Sequence, residues 1–318
     1  MKRTYVGLDV GSSTCHVAAL DIEGRSVRNL QFPTSEAKLV ATIAGLPGEV
    51  HVHLEASELA GWIRRILTGR VARVVISHAT TNAWIAKDPR KCDSVAAFKL
   101  AELLRVGRVH EVYYPNEAHR AVFKPLMQHY DDVVAQQVRL KLKIKARLRT
   151  HGVIVRGKAV YSPCGRAGVV AQAESPAARQ VLEQLYTLLD ATIATQREAL
   201  TLLRRHARQY PEIERFQAVP GVGLIGAARF SAYIQTPHRF SSKRKLWRYC
   251  RLGITDRSSD GKRRGPQRLD RTGHGRLKDR SRKAVIAALH TRSLGSVPAQ
   301  RTWLLGQSQG IVSATASP

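Results

Sequence analysis

Three carboxylates in the first hundred residues have the side-chain type and the spacing for divalent-cation chemistry. Asp9 lies in the apolar run 4–10, Glu55 ends the alternating run 50–54, and Asp93 directly precedes a helical pattern. A carboxylate inside an apolar strand is costly unless it is paired or binds a cation. If the two strands are neighbours, their carboxylates emerge together. Mg²⁺ prefers such oxygen ligands and, bound there, assists phosphodiester cleavage.

Each carboxylate also has a simpler interpretation. Asp93 is placed to be the N-cap of its helix, and Glu55 to cap the helix that follows it. Asp9 is the hardest to explain in this way, because it lies in the middle of its strand. The occurrence of all three in one strand-rich segment favours a shared site.

The pattern around these carboxylates predicts the elements that position them. A Gly-Ser-Ser turn at 11–13 indicates a hairpin, and a third strand is expected at about 25–31. Further along, the sequence predicts a helix from Ser35 to near Gly45, a strand at 50–54, a helix at 59–67, a buried strand at 71–76 and a helix from Asp93 to Val106. Three strands followed by alternating helices and strands predict an α/β RNase H-like domain over 1–125.

The rest of the chain is predicted to be mainly helical. Long helical patterns through 133–148 and from Ser175 to His206 predict a coiled-coil-like middle over 126–210, with 151–174 as a connecting loop. The helix pair is either an oligomerisation arm or an ordinary hairpin packed on its own domain. A mainly α carboxy-terminal domain follows over 211–295, with a helix-hairpin-helix-like turn at 219–223, and the tail 296–318 is predicted to be disordered.

The charge points to a polyanionic partner. The 318 residues contain 52 Lys and Arg against 24 Asp and Glu, a formal net charge of +28. The excess is spread along the chain, which favours nucleic acid over a membrane surface, and it is densest over 239–283. Charge alone also suits an RNA chaperone or a ribosomal component. The four cysteines are isolated, which excludes a zinc site of ordinary spacing, and no window suits a membrane span, so a soluble, cytoplasmic, nucleoid-associated protein is expected.

Several short motifs, in order, resemble the insertion-sequence transposases with a RuvC-like Asp-Glu-Asp-Asp domain and a carboxy-terminal serine transposase domain. That family includes pilin-gene invertases and bridge-RNA-guided recombinases. The amino-terminal motifs are Gly-Leu-Asp-Val at 7–10, Leu-Glu-Ala-Ser at 54–57, and the stretches 91–97 and 100–105. The carboxy-terminal motifs are Val-Pro-Gly-Val-Gly at 219–223, Phe-Ser-Ser at 240–242, Ser-Ser-Asp-Gly-Lys at 258–262 and Thr-Gly-His at 272–274.

The resemblance implies that Asp9, Glu55 and Asp93 bind Mg²⁺ or Mn²⁺. The family's fourth carboxylate would fall three residues after Asp93, where this chain has Ala96. The chain is then a degenerate or altered copy, or uses Asp88, or tolerates three carboxylates. Helical geometry does not bring Asp88 to the position of residue 96, so weakened metal binding is the favoured expectation.

The resemblance also implies a serine nucleophile, which falls at Ser242 with Ser241 as the alternative. A serine pair beside basic residues is more often a helix cap or a phosphate contact, so only the resemblance assigns the nucleophile. The residues expected to bind nucleic acid are Lys243, Arg244, Lys245, Lys262, Arg263 and Arg264.

The sequence therefore predicts a site-specific DNA recombinase or transposase that forms a phosphoserine intermediate. The implied partners are DNA target and donor sites and a guide RNA, and the implied assembly is a homodimer or homotetramer joined through the middle helices. The alternatives are a RuvC-like junction nuclease without serine chemistry, and a catalytically inactive relative that binds DNA or RNA.

Overall fold

The amino-terminal strands form one five-stranded mixed sheet. The computed structural model describes residues 2–78, 92–115, 118–255, 258–259, 262–263 and 265–293. The sheet contains β1 (Arg3–Val10), β2 (Thr14–Leu20), β3 (Ser26–Pro33), β4 (Glu49–Glu55) and β5 (Arg73–Ser77). The strand order is β3-β2-β1-β4-β5, with β1 to β3 antiparallel and β1, β4 and β5 parallel. This mixed α/β sheet is consistent with the predicted RNase H-like fold.

Local sequence signals explain the beginning of this sheet. Val10 pairs with Cys15, so the turn between them closes the predicted hairpin, and the expected third strand pairs with β2. The Ser35 hydroxyl accepts a hydrogen bond from the Lys38 amide and caps α1 (Glu36–Ala44). Gly45 is the C-cap of this helix, close to the predicted end.

Helices cover both faces of the sheet. Leu8 and Leu54 pack with α1 and α2 (Ala60–Leu67) in one apolar core. Side chains alternate along a strand, so Gly7 and Asp9 point to the opposite face from Leu8. That face carries α3 (Asp93–Arg105), which packs on β1 and β2.

The middle of the chain is an antiparallel pair of long helices. These are α4 (Ala118–Thr150) and α6 (Pro176–Ala207), with a short 3₁₀ helix (Ala159–Tyr161) and α5 (Pro163–Val170) between them. The boundary predicted at 125/126 falls inside α4, and the chain instead divides into compact units after Tyr114. The predicted connecting loop at 151–174 is wrong. Ser162 caps α5 and Pro163 starts it, the same signal that begins α6, and Val160 and Val170 pack in the core at this end of the helix pair.

The opposite end of the helix pair packs with the carboxy-terminal elements. These are α7 (Pro211–Gln217), α8 (Leu224–Ile234), a 3₁₀ helix (Pro237–Arg239), α9 (Lys243–Tyr249), α10 (Gly275–Ser293) and the two-residue strands β6 (Ile254–Thr255), β7 (Ser258–Ser259), β8 (Lys262–Arg263) and β9 (Arg268–Leu269). β6 pairs with β9 and β7 with β8, both antiparallel. Most of the described residues of this part are helical, and the strands form two small pairs. The predicted tail 296–318 lies outside the described residues.

Two glycine motifs have a packing role in this part. Gly221 has a φ of 78°, and a Cβ there would lie 2.8 Å from the Ala284 carbonyl oxygen of α10. Gly273 has a φ of 101°, and a Cβ would lie 2.5 Å from the Tyr249 carbonyl oxygen. Both turns therefore require glycine, for backbone conformation and for close approach.

Candidate active site

Asp9 and Glu55 come together at one edge of the sheet. Leu8 pairs with Leu54 in the parallel β1–β4 ladder, so the next residues of the two strands are neighbours. Asp9 shares the face of Gly7, and Glu55 shares the face of His53, which is Gly7's partner in the ladder. Both carboxylates thus lie on the α3 side of the sheet, as the sequence predicted if the strands were neighbours.

Two contacts fix α3 on this face. At Gly7 the helix backbone comes so close that a Cβ would overlap the Ala97 carbonyl oxygen and lie 2.5 Å from the Ala101 nitrogen. His53 is fully buried, with Nδ1 2.7 Å from the Leu100 carbonyl oxygen and Nε2 2.8 Å from Ser77 Oγ. A carbonyl only accepts, so Nδ1 carries the proton and Nε2 accepts from the serine hydroxyl. Burial lowers the pKa of His53 and keeps the ring neutral.

This packing brings the start of α3 to the carboxylates. Cys92 is the N-cap and Asp93 is the first helical residue, so the expectation that Asp93 is the cap is wrong. Glu55 does not cap the next helix either, because α2 begins at Ala60 with Leu59 at its N-cap. Ala96 lies one turn after Asp93 and is half-buried. Asp88, the possible substitute ligand, lies outside the described residues.

The pKa of Asp9 is affected by burial and by the negative charges near it. Burial raises the pKa of Asp9 above its ordinary value, and the nearby charges of Asp93 and Glu55 raise it further. Asp9 therefore interacts electrostatically with both of the other carboxylates. In the described part of the chain, however, no three His, Cys, Asp or Glu side chains converge as a metal-binding group. The donor chemistry fits a hard divalent cation, whereas the side-chain orientations do not enclose one.

His16 belongs to this cluster and was missed by the sequence analysis. It lies opposite Asp9 in the β1–β2 hairpin, on the same face of the sheet. Its Nδ1 lies 3.9 Å from Asp93 Oδ2, is buried, and makes no hydrogen bond within the described residues. Counting the hairpin register outward from the turn would have placed a histidine beside Asp9.

Ser242 lies in the second unit, at the start of α9. Its hydroxyl oxygen accepts a hydrogen bond from the Lys245 amide, so it is the N-cap of that helix. Accepting this bond leaves the hydroxyl proton and a second lone pair available. Ser241 and Ser242 are both exposed, so the cap interpretation is correct for Ser242 and a chemical role is sterically open to both.

The predicted nucleic-acid-binding residues lie on α9 and on the small strands. Lys243, Arg244 and Lys245 are exposed on the first turn of α9. Lys262 is exposed on β8, where Arg263 follows it. Arg264 falls outside the described residues.

A buried ionic network ties α4 to the carboxy-terminal helices. The Asp131 carboxylate on α4, only 2% exposed, pairs with Arg229 on α8 and with Arg276 on α10, whose Nη1 is 3.1 Å away. The Tyr233 hydroxyl donates to the same carboxylate at 2.9 Å, and burial raises the pKa of Tyr233 to about 12. The His274 ring packs against the Tyr233 ring in a tilted arrangement, with centroids 4.0 Å apart. No pattern in the sequence indicates this network, because its members are distant along the chain.

Acidification is expected to destabilise the second unit through His274. Burial, Arg276 and Lys124 lower the pKa of His274 to about 4. Because the folded state depresses this pKa, the stabilisation is complete above the unfolded value of about 6.5 and is lost as pH falls through about 4. Partial exposure of the ring limits the loss to about 2 kcal/mol.

Urea unfolding at pH 7 and at pH 4 measures this loss in the free energy of unfolding. His274→Phe, which keeps an aromatic ring packed against Tyr233, should flatten the pH dependence, whereas exposed His129→Gln should not. An unchanged slope in His274→Phe would contradict the assignment.

Comparison with known families matches both parts of the chain. Residues 6–152 match the DEDD domain model of IS110, described as "Transposase", and residues 213–295 match the model described as "Transposase IS116/IS110/IS902 family". No curated protein matches the chain significantly. Within the described ranges, no helix is long and apolar enough to cross a bilayer. The two matches come from one insertion-sequence group and together cover more than half of the chain. The chain therefore belongs to the IS110 family of insertion-sequence transposases, which act in DNA transposition and recombination.

Proposed function

We propose that this transposase recombines DNA at specific sites through a phosphoserine intermediate, assisted by a divalent cation at Asp9, Glu55 and Asp93. The observation that carries the proposal is the position of Asp9 and Glu55 on neighbouring strands at one sheet edge, where burial and then the charges of Asp93 and Glu55 raise the pKa of Asp9. Ionising all three costs free energy, which a bound cation offsets. The family's usual need for divalent metal ions supports the same assignment.

Mg²⁺ or Mn²⁺ is the proposed ion because the donors are carboxylate oxygens. When bound, it would supply positive charge to stabilise oxygens that become negative during phosphoryl transfer. The side chains must turn towards the ion, since they do not enclose one in this structure. Ala96 removes one donor, so we expect weaker cation binding than a four-carboxylate site would have.

Ser242 is the proposed nucleophile, with Ser241 as the alternative. Attack by its hydroxyl oxygen on a phosphate forms a serine–phosphate bond and releases one sugar hydroxyl. The bond energy of the broken phosphodiester is conserved in that link. A different strand's hydroxyl can then attack it and rejoin the DNA without an external energy source.

The positive surfaces of the second unit are proposed to bind DNA and a guide RNA. The exposed basic residues of α9 and the exposed Lys262 of β8, together with the net charge of +28, suit phosphate contacts. Lys and Arg contacts of this kind position nucleic acid without reading its sequence. Sequence selection would then come from base pairing with the RNA.

Assembly through the α4–α6 pair is proposed as a homodimer or homotetramer, because recombination joins several strands. Val138 and Leu142 on α4 are exposed and lie one turn apart, as an outward apolar stripe requires. Val181 and Leu188 are exposed on α6 with a two-turn spacing. These side chains favour the oligomerisation arm over a hairpin that packs only on itself.

The proposal is tested by covalent trapping. The protein is incubated with its flanking DNA, the transcribed non-coding RNA and Mg²⁺, then denatured and examined for protein–DNA adducts. We expect an adduct with the wild type, and with Ala96→Asp the same adduct at roughly tenfold lower Mg²⁺ concentration, because a fourth oxygen donor strengthens the site.

The outcomes separate the candidate functions. If neither protein forms an adduct although DNA is cut, the junction nuclease is favoured. Binding with a steep salt dependence but no cutting would favour the inactive relative, which Ala96 already motivates. An adduct in the wild type whose Mg²⁺ dependence does not respond to Ala96→Asp would contradict the placement of the cation beside Asp93.

A further inference from the structure

An open cleft of about 860 Å³ lies between α9 and the residues around β6. Its size falls within the range of about 300–1,000 Å³ that is usual for small-ligand sites. The lining combines three cationic side chains with three apolar ones, which are Arg244, Lys245, Arg248, Trp247, Leu252 and Ile254. This combination suits a ligand with a flat apolar part and an anionic part.

Trp247 is the distinctive member of this lining. It remains 36% exposed, and Lys243 Nζ lies 5.9 Å from its ring centre. Leu252 and Ile254 are also exposed at the cleft. A large indole left open among cations gains free energy when another flat ring covers it.

The acidic residue of the cleft does not oppose an anion. Asp270 is 4% exposed and accepts hydrogen bonds from Arg248 Nε at 2.6 Å and from the Thr272 amide at 2.8 Å. Hydrogen bonds from the Thr272 hydroxyl and amide, and then from Arg248, lower the pKa of Asp270, and the Arg248 charge compensates the negative charge of the carboxylate. Arg248 keeps much of its guanidinium exposed, so the opening of the cleft is positive.

We propose that this cleft binds one unpaired nucleotide, with its base stacked on Trp247 and its phosphate contacted by Arg244 and Lys245. Bases in a duplex are stacked on their neighbours and do not present a free face, so the nucleotide must be unpaired or flipped out. The inference rests on the proposed function for its ligand class, nucleic acid, and adds a specific site and mode of recognition. It places a base-binding cleft beside Ser242 along the chain.

The test uses the full chain and two single strands of equal length. One is a 12-nucleotide oligothymidylate, and the other is the same sugar–phosphate chain without bases, so both carry the same charge. Fluorescence anisotropy should show that the wild type binds the base-bearing strand with roughly tenfold higher affinity than the abasic strand. A difference of this size is expected from one base stacking on an aromatic ring. Trp247→Ala should remove this preference and leave the abasic affinity unchanged.

Matched variants separate stacking from charge and from misfolding. Trp247→Phe should keep most of the preference, and Tyr113→Ala, at a similarly exposed aromatic residue of the first unit, should change nothing. Lys245→Gln should keep the base preference but reduce the salt dependence by about one phosphate contact. Photo-crosslinking of a 5-iodouracil-substituted strand to the wild type should map to 243–255, which tests the site even if Trp247→Ala does not fold.

Three results would overturn the proposal. These are no base preference in the wild type, an undiminished preference in folded Trp247→Ala, or crosslinks only outside 243–255. Polyglutamate that competes as well as oligothymidylate would assign the cleft to an acidic protein partner instead. Oligouridylate in place of oligothymidylate distinguishes RNA from DNA as the source of the nucleotide. The assay involves no cleavage, so a negative result would not contradict the proposed serine chemistry. Conversely, if the serine chemistry is disproved, the proposed nucleotide binding in the cleft is still testable by this assay.

Discussion

Asp9→Asn is expected to reduce DNA strand cleavage at least about 10³-fold while the protein stays folded. Asparagine keeps the size of the side chain but removes the charge that would hold the cation. A loss of this size corresponds to about 4 kcal/mol of transition-state stabilisation, which is reasonable for an electrostatic group at the reacting phosphate. Cleavage rates measured over a Mg²⁺ series would show the loss at every concentration.

The fold should not be destabilised, because burial, and then repulsion by Asp93 and Glu55, make the charge of Asp9 unfavourable in the folded state. Asp9→Asn is therefore expected to be at least as stable as the wild type at pH 7 without divalent ions. Mg²⁺ should raise the melting temperature of the wild type and not that of the variant. Glu36→Gln, in the first turn of α1 on the other face, is the control and should keep cleavage and the Mg²⁺ response. Cleavage in Asp9→Asn within a few fold of the wild type would remove Asp9 from the site.

The sheet could be predicted because its signals are local. The turn after Val10, the Ser35 cap and the period-two pattern each depend on a few adjacent residues. The same pattern placed Asp9 and Glu55 directly after apolar residues of two strands, and these residues pair in the ladder. The sequence therefore located both carboxylates within their strands, whereas their proximity depends on the strand order, which brings β1 beside β4.

The missed features depend on register and on distant packing. His16 is placed beside Asp9 only by the hairpin register. The importance of Gly7 and His53 appears only when α3 lies on the sheet, because their partners are backbone atoms about fifty to ninety residues away. A sequence pattern identifies a helix but not the backbone that it will touch.

The carboxy-terminal motifs carried the family resemblance, but the sequence alone did not explain why those residues are needed in the fold. The glycine of the Thr-Gly-His motif is required where the chain meets the end of α9, and the histidine ring of the motif packs against Tyr233. The turn at 219–223 packs against α10 through Gly221. These motifs therefore stabilise the unit around Ser242. The glycines themselves are no evidence of phosphate binding, although the sequence had suggested it for the turn.

Ser242→Ala is expected to abolish the covalent protein–DNA adduct and also to weaken the start of α9. The hydroxyl has two roles in the proposal, nucleophile and N-cap, and alanine removes both. Losing the cap should lower the free energy of unfolding by about 1 kcal/mol, which does not unfold an ordinary domain. Denaturing gels measure the adduct, and urea unfolding measures the cap.

Ser242→Asn separates the two roles, because asparagine is as good a cap as serine but has no hydroxyl to form a phosphate ester. We expect it to restore stability and not the adduct, whereas Ser241→Ala should keep both. An adduct restored by Ser242→Asn would mean that Ser242 is only a cap, and loss of the adduct in Ser241→Ala alone would move the nucleophile to Ser241. If Ser242→Ala keeps cutting DNA at the wild-type rate without an adduct in either protein, the cation site acts without a serine nucleophile. The chemistry would then depend on the carboxylate cluster of the first unit alone.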